Sequence, residues 1–241
     1  MIDDVSVDFR PGQMNLIIGP NGSGKSTLIK AISKQMAFEG QVRYDGRDVT
    51  GLAYQDLARF RAVLSQHTEV AFPLKVSEVV MMGRYPHFRT HPGAVDQQAV
   101  DEAMDYFDVK AMADRDYTTL SGGEKQRVNF ARVLAQIWFS VPGQMRYLLL
   151  DEPLTFLDVN FQYQFMRKLQ QLEQQNDLVI VGVIHDLNLA ARFGDSLLLL
   201  LDGRMLASGT LPEVLTKENI QQAFHISVDI IDHKGALHLS F

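Results

Sequence analysis

The stretch Gly19-Pro20-Asn21-Gly22-Ser23-Gly24-Lys25-Ser26-Thr27 constrains what this chain can fold into more than any other, because it satisfies G-x-x-x-x-G-K-[ST]. The short apolar run Met14-Asn15-Leu16-Ile17-Ile18 before it has the length of a strand. Thr27-Leu28-Ile29-Lys30-Ala31-Ile32-Ser33 after it has helical spacing, so the motif falls in the strand, loop, helix context of a phosphate-binding loop. The glycines let the backbone turn tightly, so that successive N–H groups and the following helix N-terminus aim at one anion. Lys25 supplies a compact positive charge for the outer phosphates, and the Ser26 hydroxyl is expected to ligate Mg²⁺.

The 241 residues and 46% hydrophobic composition suffice for one large domain, or a domain with a subdomain. A net charge of -6 offers no basic field for nucleic acid or an anionic membrane. No cysteine is present, which rules out disulfides and thiolate metal sites. The acidic start Met1-Ile2-Asp3-Asp4 lacks a signal-peptide pattern, and the run Leu197 to Leu201 falls far short of the ~20 apolar residues that span a bilayer. That run predicts a buried strand, and any service to a membrane is expected to go through a partner.

In chain order, Val5, Val7 and Phe9 alternate with Ser6 and Asp8, which predicts a half-exposed strand. A short strand ending in a turn is expected over 40–46, and Ala62-Val63-Leu64-Ser65 leads as an apolar run into Gln66. From about 67 the character becomes helical. Ser77 to Met82 opens like a capped helix, and Val100, Ala103, Met104 and Phe107 share one helical face. Between them, Tyr85 to Gly93 is bounded by prolines and is expected to be a loop. His87 and His91 have i, i+4 spacing, but a solvated loop is favoured over a metal or haem ligand pair.

Leu120-Ser121-Gly122-Gly123-Glu124 precedes a helix through Leu134; Ser121 and Glu124 form a capping box, while the glycines cost helix propensity and permit close approach to an anion. Tyr147-Leu148-Leu149-Leu150 predicts a buried strand that ends in Asp151-Glu152, at the carboxyl end where open α/β sheets bind ligands. Phe161, Phe165, Leu169 and Leu172 align on an amphipathic helix as core, and the strand over Leu178 to Ile184 ends at His185-Asp186. After the turn at Asp202-Gly203 the tail is of mixed character.

Taken together, these motifs resemble the nucleotide-binding subunit of ATP-binding cassette (ABC) transporters over nearly the whole chain. Gly19 to Thr27 is similar to Walker A, Gln66 to the Q-loop, Leu120 to Glu124 to the signature, Leu148 to Glu152 to Walker B, Leu157-Asp158 to the D-loop and His185 to the switch histidine. The resemblance implies an α/β P-loop NTPase core with a mixed sheet and an inserted helical subdomain over about 67–134, all in a single domain spanning 1–241. It implies ATP and Mg²⁺ as ligands, with Ser26, Gln66 and Asp151 serving the metal, Asp151 through water. Glu152 is expected to orient and deprotonate the attacking water, His185 to contact the γ-phosphate, and Lys25 to offset phosphate charge. In such proteins two copies meet head to tail, so Ser121, Gly122, Gly123 and Glu124 would face the partner's nucleotide and Asp158 the dimer contact. Leu154 and Phe156 stand in the D-loop where smaller residues are commoner.

With no membrane segment fused to the chain, the resemblance is to separate ATPase subunits of bacterial importers for haem, iron-siderophores and vitamin B12. Haem importers are favoured through Ala71 to Arg84, a lengthened loop over Ala135-Gln136-Ile137-Trp138, and Ile184 to Ala191. The partners implied are a membrane permease and, indirectly, a binding protein, at the cytoplasmic face of the cell membrane, with no nucleic acid. A soluble ABC clamp would be expected to carry two cassettes or a long coiled-coil insert, and a regulatory module without turnover would not need Glu152 and His185.

The resemblance also implies an upstream strand and an aromatic residue that stacks on adenine, and the sequence offers no counterpart before the P-loop. The expectation is that ATP and GTP bind this chain with similar affinity in a nucleotide titration. An aromatic added upstream should favour ATP by several-fold, since stacking is worth about 0.5–1.5 kcal/mol. Strong ATP preference in the present chain would mean that another residue holds the base.

Overall fold

A computed structural model describes residues 2–65, 72–233 and 236–241. The first half runs β1 (Met14–Ile18), α1 (Lys25–Ile32), β2 (Arg43–Tyr44), β3 (Arg47–Asp48), α2 (Tyr54–Leu57), β4 (Arg61–Leu64), α3 (Val76–Met81), α4 (Ala94–Tyr106) and α5 (Gly122–Gln136). The second half runs β5 (Arg146–Leu150), α6 (Val159–Glu173), β6 (Leu178–Val183), α7 (Leu187–Phe193), β7 (Ser196–Leu201), β8 (Arg204–Thr210), α8 (Leu211–Val214), α9 (Lys217–Phe224), β9 (Asp229–His233) and β10 (Ala236–Ser240). The chain divides into two compact units, one of residues 1–39, 150–153 and 163–241, the other of 40–149 and 154–162.

In the first unit β1 lies between β6 and β7, parallel to both, and β8 closes the order antiparallel to β7. β1 and β6 are buried at every position, as expected of continuous apolar runs covered on both faces. Asn15 is the polar exception. Its side-chain amide donates to the carbonyls of Arg10, Gln13 and Ile180, and its Oδ1 accepts from the Arg10 N–H, which satisfies a buried group and holds the incoming chain. Asp202 and Gly203 both have positive φ, 50° and 82°, and join β7 to β8 through the two-residue turn that matches strand twist. This turn also braces the phosphate-loop segment: the Gly203 N–H donates to the Ser23 carbonyl at 3.1 Å, and the Asp3 N–H to the Gly203 carbonyl at 2.8 Å.

Residues 5–9 differ from expectation. Val5, Val7 and Phe9 are half-buried and Ser6 and Asp8 exposed, so the alternation is present, but no strand forms, because no ladder partner lies alongside among the described residues. The mixed tail resolves into α8, α9 and a β9–β10 hairpin. The hairpin is fastened to α7 by Asn188, whose Nδ2 donates to the Leu239 carbonyl while its Oδ1 accepts from the Leu239 N–H.

The second unit carries β4, most of β5, the β2–β3 hairpin and the helices α2 to α5. Tyr44 packs edge-on against Tyr147, with ring centroids 4.5 Å apart, and Phe60 completes the cluster. Three expectations need correction here. α3 starts at Val76, before Ser77, because the Glu78 carboxylate takes the Lys75 N–H at 2.7 Å and so ends the helix at Lys75. Tyr85 to His87, expected at the start of a loop, belong to a 3₁₀ helix over Met82–His87, whose geometry suits the fixed φ of Pro86, while 88–93 are irregular as expected. Ala135 and Gln136 belong to α5 and not to a lengthened loop, since the last carbonyls of the helix have partners.

Those partners form a clasp. Gly83 runs so close to α5 that an added Cβ would stand 2.1 Å from the Arg132 carbonyl oxygen. Arg84 donates to the Ala135 and Gln136 carbonyls at 2.8 and 3.4 Å and pairs with Asp96 at 3.0 Å. Arg146 donates to the Ile137 and Trp138 carbonyls, so cationic groups collect where the helix dipole is negative. Arg84 is only 4% and Asp96 7% exposed, so the charge of either depends on the other. Arg84→Met should destabilise the protein by about 3–5 kcal/mol in urea unfolding, since it strands a buried carboxylate.

Candidate functional site

The loop after β1 is shaped by Gly19, Gly22 and Gly24, at φ 148°, 80° and 100°. Gly19 is sterically obligatory: a Cβ there would lie 2.3 Å from the Leu200 carbonyl oxygen and 2.7 Å from Ser23 Oγ. α1 begins at Lys25 with no side chain capping its first N–H groups. Ser23 is 2% exposed, and its hydroxyl has no hydrogen-bond partner. An orphaned buried hydroxyl beside an uncapped helix start is the arrangement a bound oxyanion would complete. Pro20, Asn21 and Gly22 form the outer rim, and Thr27 is half-buried in the first turn of α1.

Lys25 is 5% exposed and donates from Nζ to the carbonyls of Gly19 and Pro20, both at 2.9 Å. Burial pushes its ammonium below the ordinary lysine range, against the opposing pull of the Glu152 and Asp151 carboxylates. Ser26 Oγ donates to Asp151 Oδ1 at 2.8 Å, joining positions far apart in sequence. Burial raises the Asp151 carboxyl above its usual range; the Ser26 hydroxyl counters this and the Glu152 charge adds to it. A hydroxyl and one carboxylate are the hard oxygen donors that Mg²⁺ takes from a protein when nucleotide phosphates supply the rest. Among the described residues no group of three or more His, Cys, Asp or Glu is placed to hold a metal.

Glu152 adopts φ 51°, a left-handed backbone that glutamate rarely takes, and its Oε1 lies 2.8 Å from His185 Nε2. Such strain persists only where the surroundings hold it. His185 follows β6 and directly precedes Asp186, which caps α7 by accepting from the Asn188 and Leu189 N–H groups at 2.8 and 2.9 Å. Beside Gly19, Pro20, Asn21 and His185 opens a cavity of about 490 Å³, lined also by Phe224 and His225 at the end of α9.

In the second unit Ser121 and Glu124 form the expected reciprocal cap. Ser121 Oγ accepts from the Glu124 N–H at 3.3 Å, and Glu124 Oε2 accepts from both the Ser121 N–H and its hydroxyl at 2.8 Å. Arg115 Nη1 donates to Glu124 Oε1 at 3.0 Å. Cβ atoms added at Gly122 and Gly123 would meet nothing nearer than 3.8 Å, so no contact within the unit requires glycine there. Asp158 Oδ1 accepts from the Phe161 N–H at 3.0 Å and so starts α6, while Phe156 is 72% exposed at φ 68°.

The structure thus brings Lys25, Ser26, Asp151, Glu152 and His185 together in one unit and presents Ser121 to Glu124 at a helix start in the other. Gln66, expected at the metal, lies outside the described residues. His87 Nε2 is 2.7 Å from the Gln136 carbonyl, with its pKa lowered by burial and then by Arg84, and His91 is exposed. Sequence reasoning missed Arg115, whose partner is nine positions away, and the cap at Asp186, which an Asx followed by a helical run could have signalled.

A family profile described as ABC transporter matches residues 2–155. A hemin import ATP-binding protein, HmuV, of Gloeobacter violaceus is 42% identical over 234 residues, covering 97% of this chain and 85% of that protein. A solved inward-facing metal-chelate type ABC transporter aligns with a TM-score of 0.79 at 25% identity, covering 99% of this chain and 88% of that one. A bacterial ABC transporter cassette solved as a dimer aligns with a TM-score of 0.73 at 26% identity, covering 87% and 90%. No helix among the described residues is long and apolar enough to cross a membrane. If Lys25 turns its ammonium from the loop carbonyls to a nucleotide phosphate, replacing it by Met should weaken ATP binding roughly ten- to hundredfold in calorimetric titration.

Proposed function

The chain belongs to the ABC transporter family, and on that premise we propose that it is the Mg²⁺-dependent ATPase subunit of an importer that moves haem through a separate membrane permease. The observation that carries the ATPase reading is the pair of acids after β5: Asp151 on the Ser26 hydroxyl and Glu152 against His185. In this reading the loop amides, the Ser23 hydroxyl and Lys25 hold the phosphates. Lys25 exchanges its two carbonyl partners for phosphate oxygens, so it need not be desolvated anew. Ser26, Gln66 and Asp151 would hold Mg²⁺, which when bound would neutralise phosphate charge.

Glu152 accepts the proton of the attacking water, and His185 orients Glu152 and reaches the γ-phosphate. Ser121, Gly122 and Gly123 contact that phosphate from a second copy, with Glu124 capping the helix behind them and Asp158 starting the helix at the dimer contact. The solved dimer of a related cassette supports this arrangement. Glu152→Gln should lower hydrolysis by about a hundredfold or more and accumulate an ATP-bound dimer in sizing chromatography. A variant that stays monomeric in ATP and hydrolyses like the parent would overturn both the base and the sandwich.

The relative's hemin-import name favours haem, whereas a metal-chelate neighbour suits a ferric siderophore or cobalamin equally. Phe72, 73% exposed and followed by exposed Pro73, is the apolar surface through which the permease is engaged, the subunit staying peripheral at the cytoplasmic face. With the permease in vesicles, binding protein loaded with haem should stimulate hydrolysis more than protein loaded with siderophore or cobalamin. Phe72→Asp should abolish that stimulation and leave the basal rate of the isolated subunit nearly intact. Stimulation by cobalamin or siderophore alone would overturn the haem assignment while the ATPase reading stands.

A further inference from the structure

We propose that Arg115 is a positioning residue for the phosphate-contacting signature, drawing on the Glu124 carboxylate so that it can release the Ser121 hydroxyl to a phosphate and does not repel the nucleotide. The inference rests on the reading of Ser121 to Glu124 as that signature. Phosphate oxygens accept hydrogen bonds and donate none, so Ser121 serves a phosphate only by donating its hydroxyl proton. Here that proton is committed to Glu124 Oε2 at 2.8 Å, while the same oxygen also takes the Ser121 N–H. A carboxylate beside the donors that should meet a polyanion is electrostatically the wrong sign. Arg115 Nη1, 3.0 Å from the other carboxylate oxygen, offsets that charge and competes for its electron density.

The placement of Arg115 is itself fixed by the backbone. Its carbonyl accepts from the Val76 N–H at 3.0 Å, the Ser77 N–H donates to the Ala113 carbonyl at 3.0 Å, and the Tyr117 N–H donates to the Leu74 carbonyl at 2.8 Å. The segment 113–117 therefore lies strapped to 74–77, directly after exposed Phe72 and Pro73. Glu124 keeps 24% and Arg115 48% side-chain exposure, so the pair is half-solvated and able to exchange partners.

The test is steady-state ATP hydrolysis by the full chain at low and physiological salt, with Arg115→Ala, Arg115→Lys, Ser121→Ala and the double variant Arg115→Ala/Glu124→Gln. Arg115→Ala should raise the KM for ATP about two- to fivefold, with kcat falling by less, as expected of a half-exposed charge pair. The rise should be larger at low salt. Arg115→Lys should restore most of the loss, and Glu124→Gln should restore KM in the Arg115→Ala background, because the unbalanced charge is gone. A merely structural arginine would instead lower the melting temperature, and its defect would ignore both salt and the charge at 124. A parental KM in Arg115→Ala, or a defect that Glu124→Gln leaves undiminished, overturns the proposal. If Ser121→Ala also behaves like the parent, the signature reading itself has failed; if Ser121→Ala is defective while Arg115→Ala is not, only the present inference has.

Discussion

The parallel ladders that fix β1 between β6 and β7 set the position of almost everything chemical in the first unit. Ile17 stands opposite Val183 and Ile18 opposite Leu199, so Gly19 leaves the sheet beside the residues that follow β6 and against the carbonyl of Leu200. The carboxyl ends of parallel strands are where a doubly covered sheet leaves room for a ligand. Register and not loop flexibility therefore brings Gly19 and His185 to the same cavity wall. A shift of one residue would carry Gly19 away from the Leu200 carbonyl, where only a residue without a Cβ fits.

Electrostatics complete what the register begins. The described site gathers two carboxylates, an ammonium and an imidazole, and Lys25, Asp151 and Glu152 each have a partner within the chain. Lys25 is held by its own loop carbonyls and Asp151 by a hydroxyl, with Glu152 against a ring nitrogen. On the proposed function, binding would be an exchange of partners, which spares the reorganisation that makes buried charges expensive. The same logic runs through the second unit, where Arg84 and Arg146 neutralise the carboxyl end of α5 and Arg115 and Glu124 balance its amino end.

The parts legible in sequence are those written in local patterns. The phosphate loop, the strands ending at Asp151 and His185, and the Ser121–Glu124 cap each combine a fixed spacing with a periodic flank, and each stands in the structure as expected. What sequence did not disclose depends on partners far along the chain. The alternation at 5–9 could not reveal that no ladder lies beside it. The true end of α5 depends on arginines at 84 and 146, and the start of α3 on a glutamate serving lysine, a residue that does not ordinarily cap. Asn15 looked like one more position of an apolar run, although its amide ties three carbonyls together.

The turn at Asp202-Gly203 has a further consequence. Hairpin tips are ordinarily where a chain absorbs inserted residues, tags and whole domains with least harm. Here the tip is a structural strut, with its glycine amide bound to the Ser23 carbonyl and its glycine carbonyl to Asp3, while Arg204 just beyond pairs with the Asp3 side chain. A residue inserted between 202 and 203 would shift the amide that steadies the phosphate loop. A hairpin tip, with Asp202 exposed but Gly203 buried, is thus closed to length variation, and places for fusing labels must be sought elsewhere on the molecule.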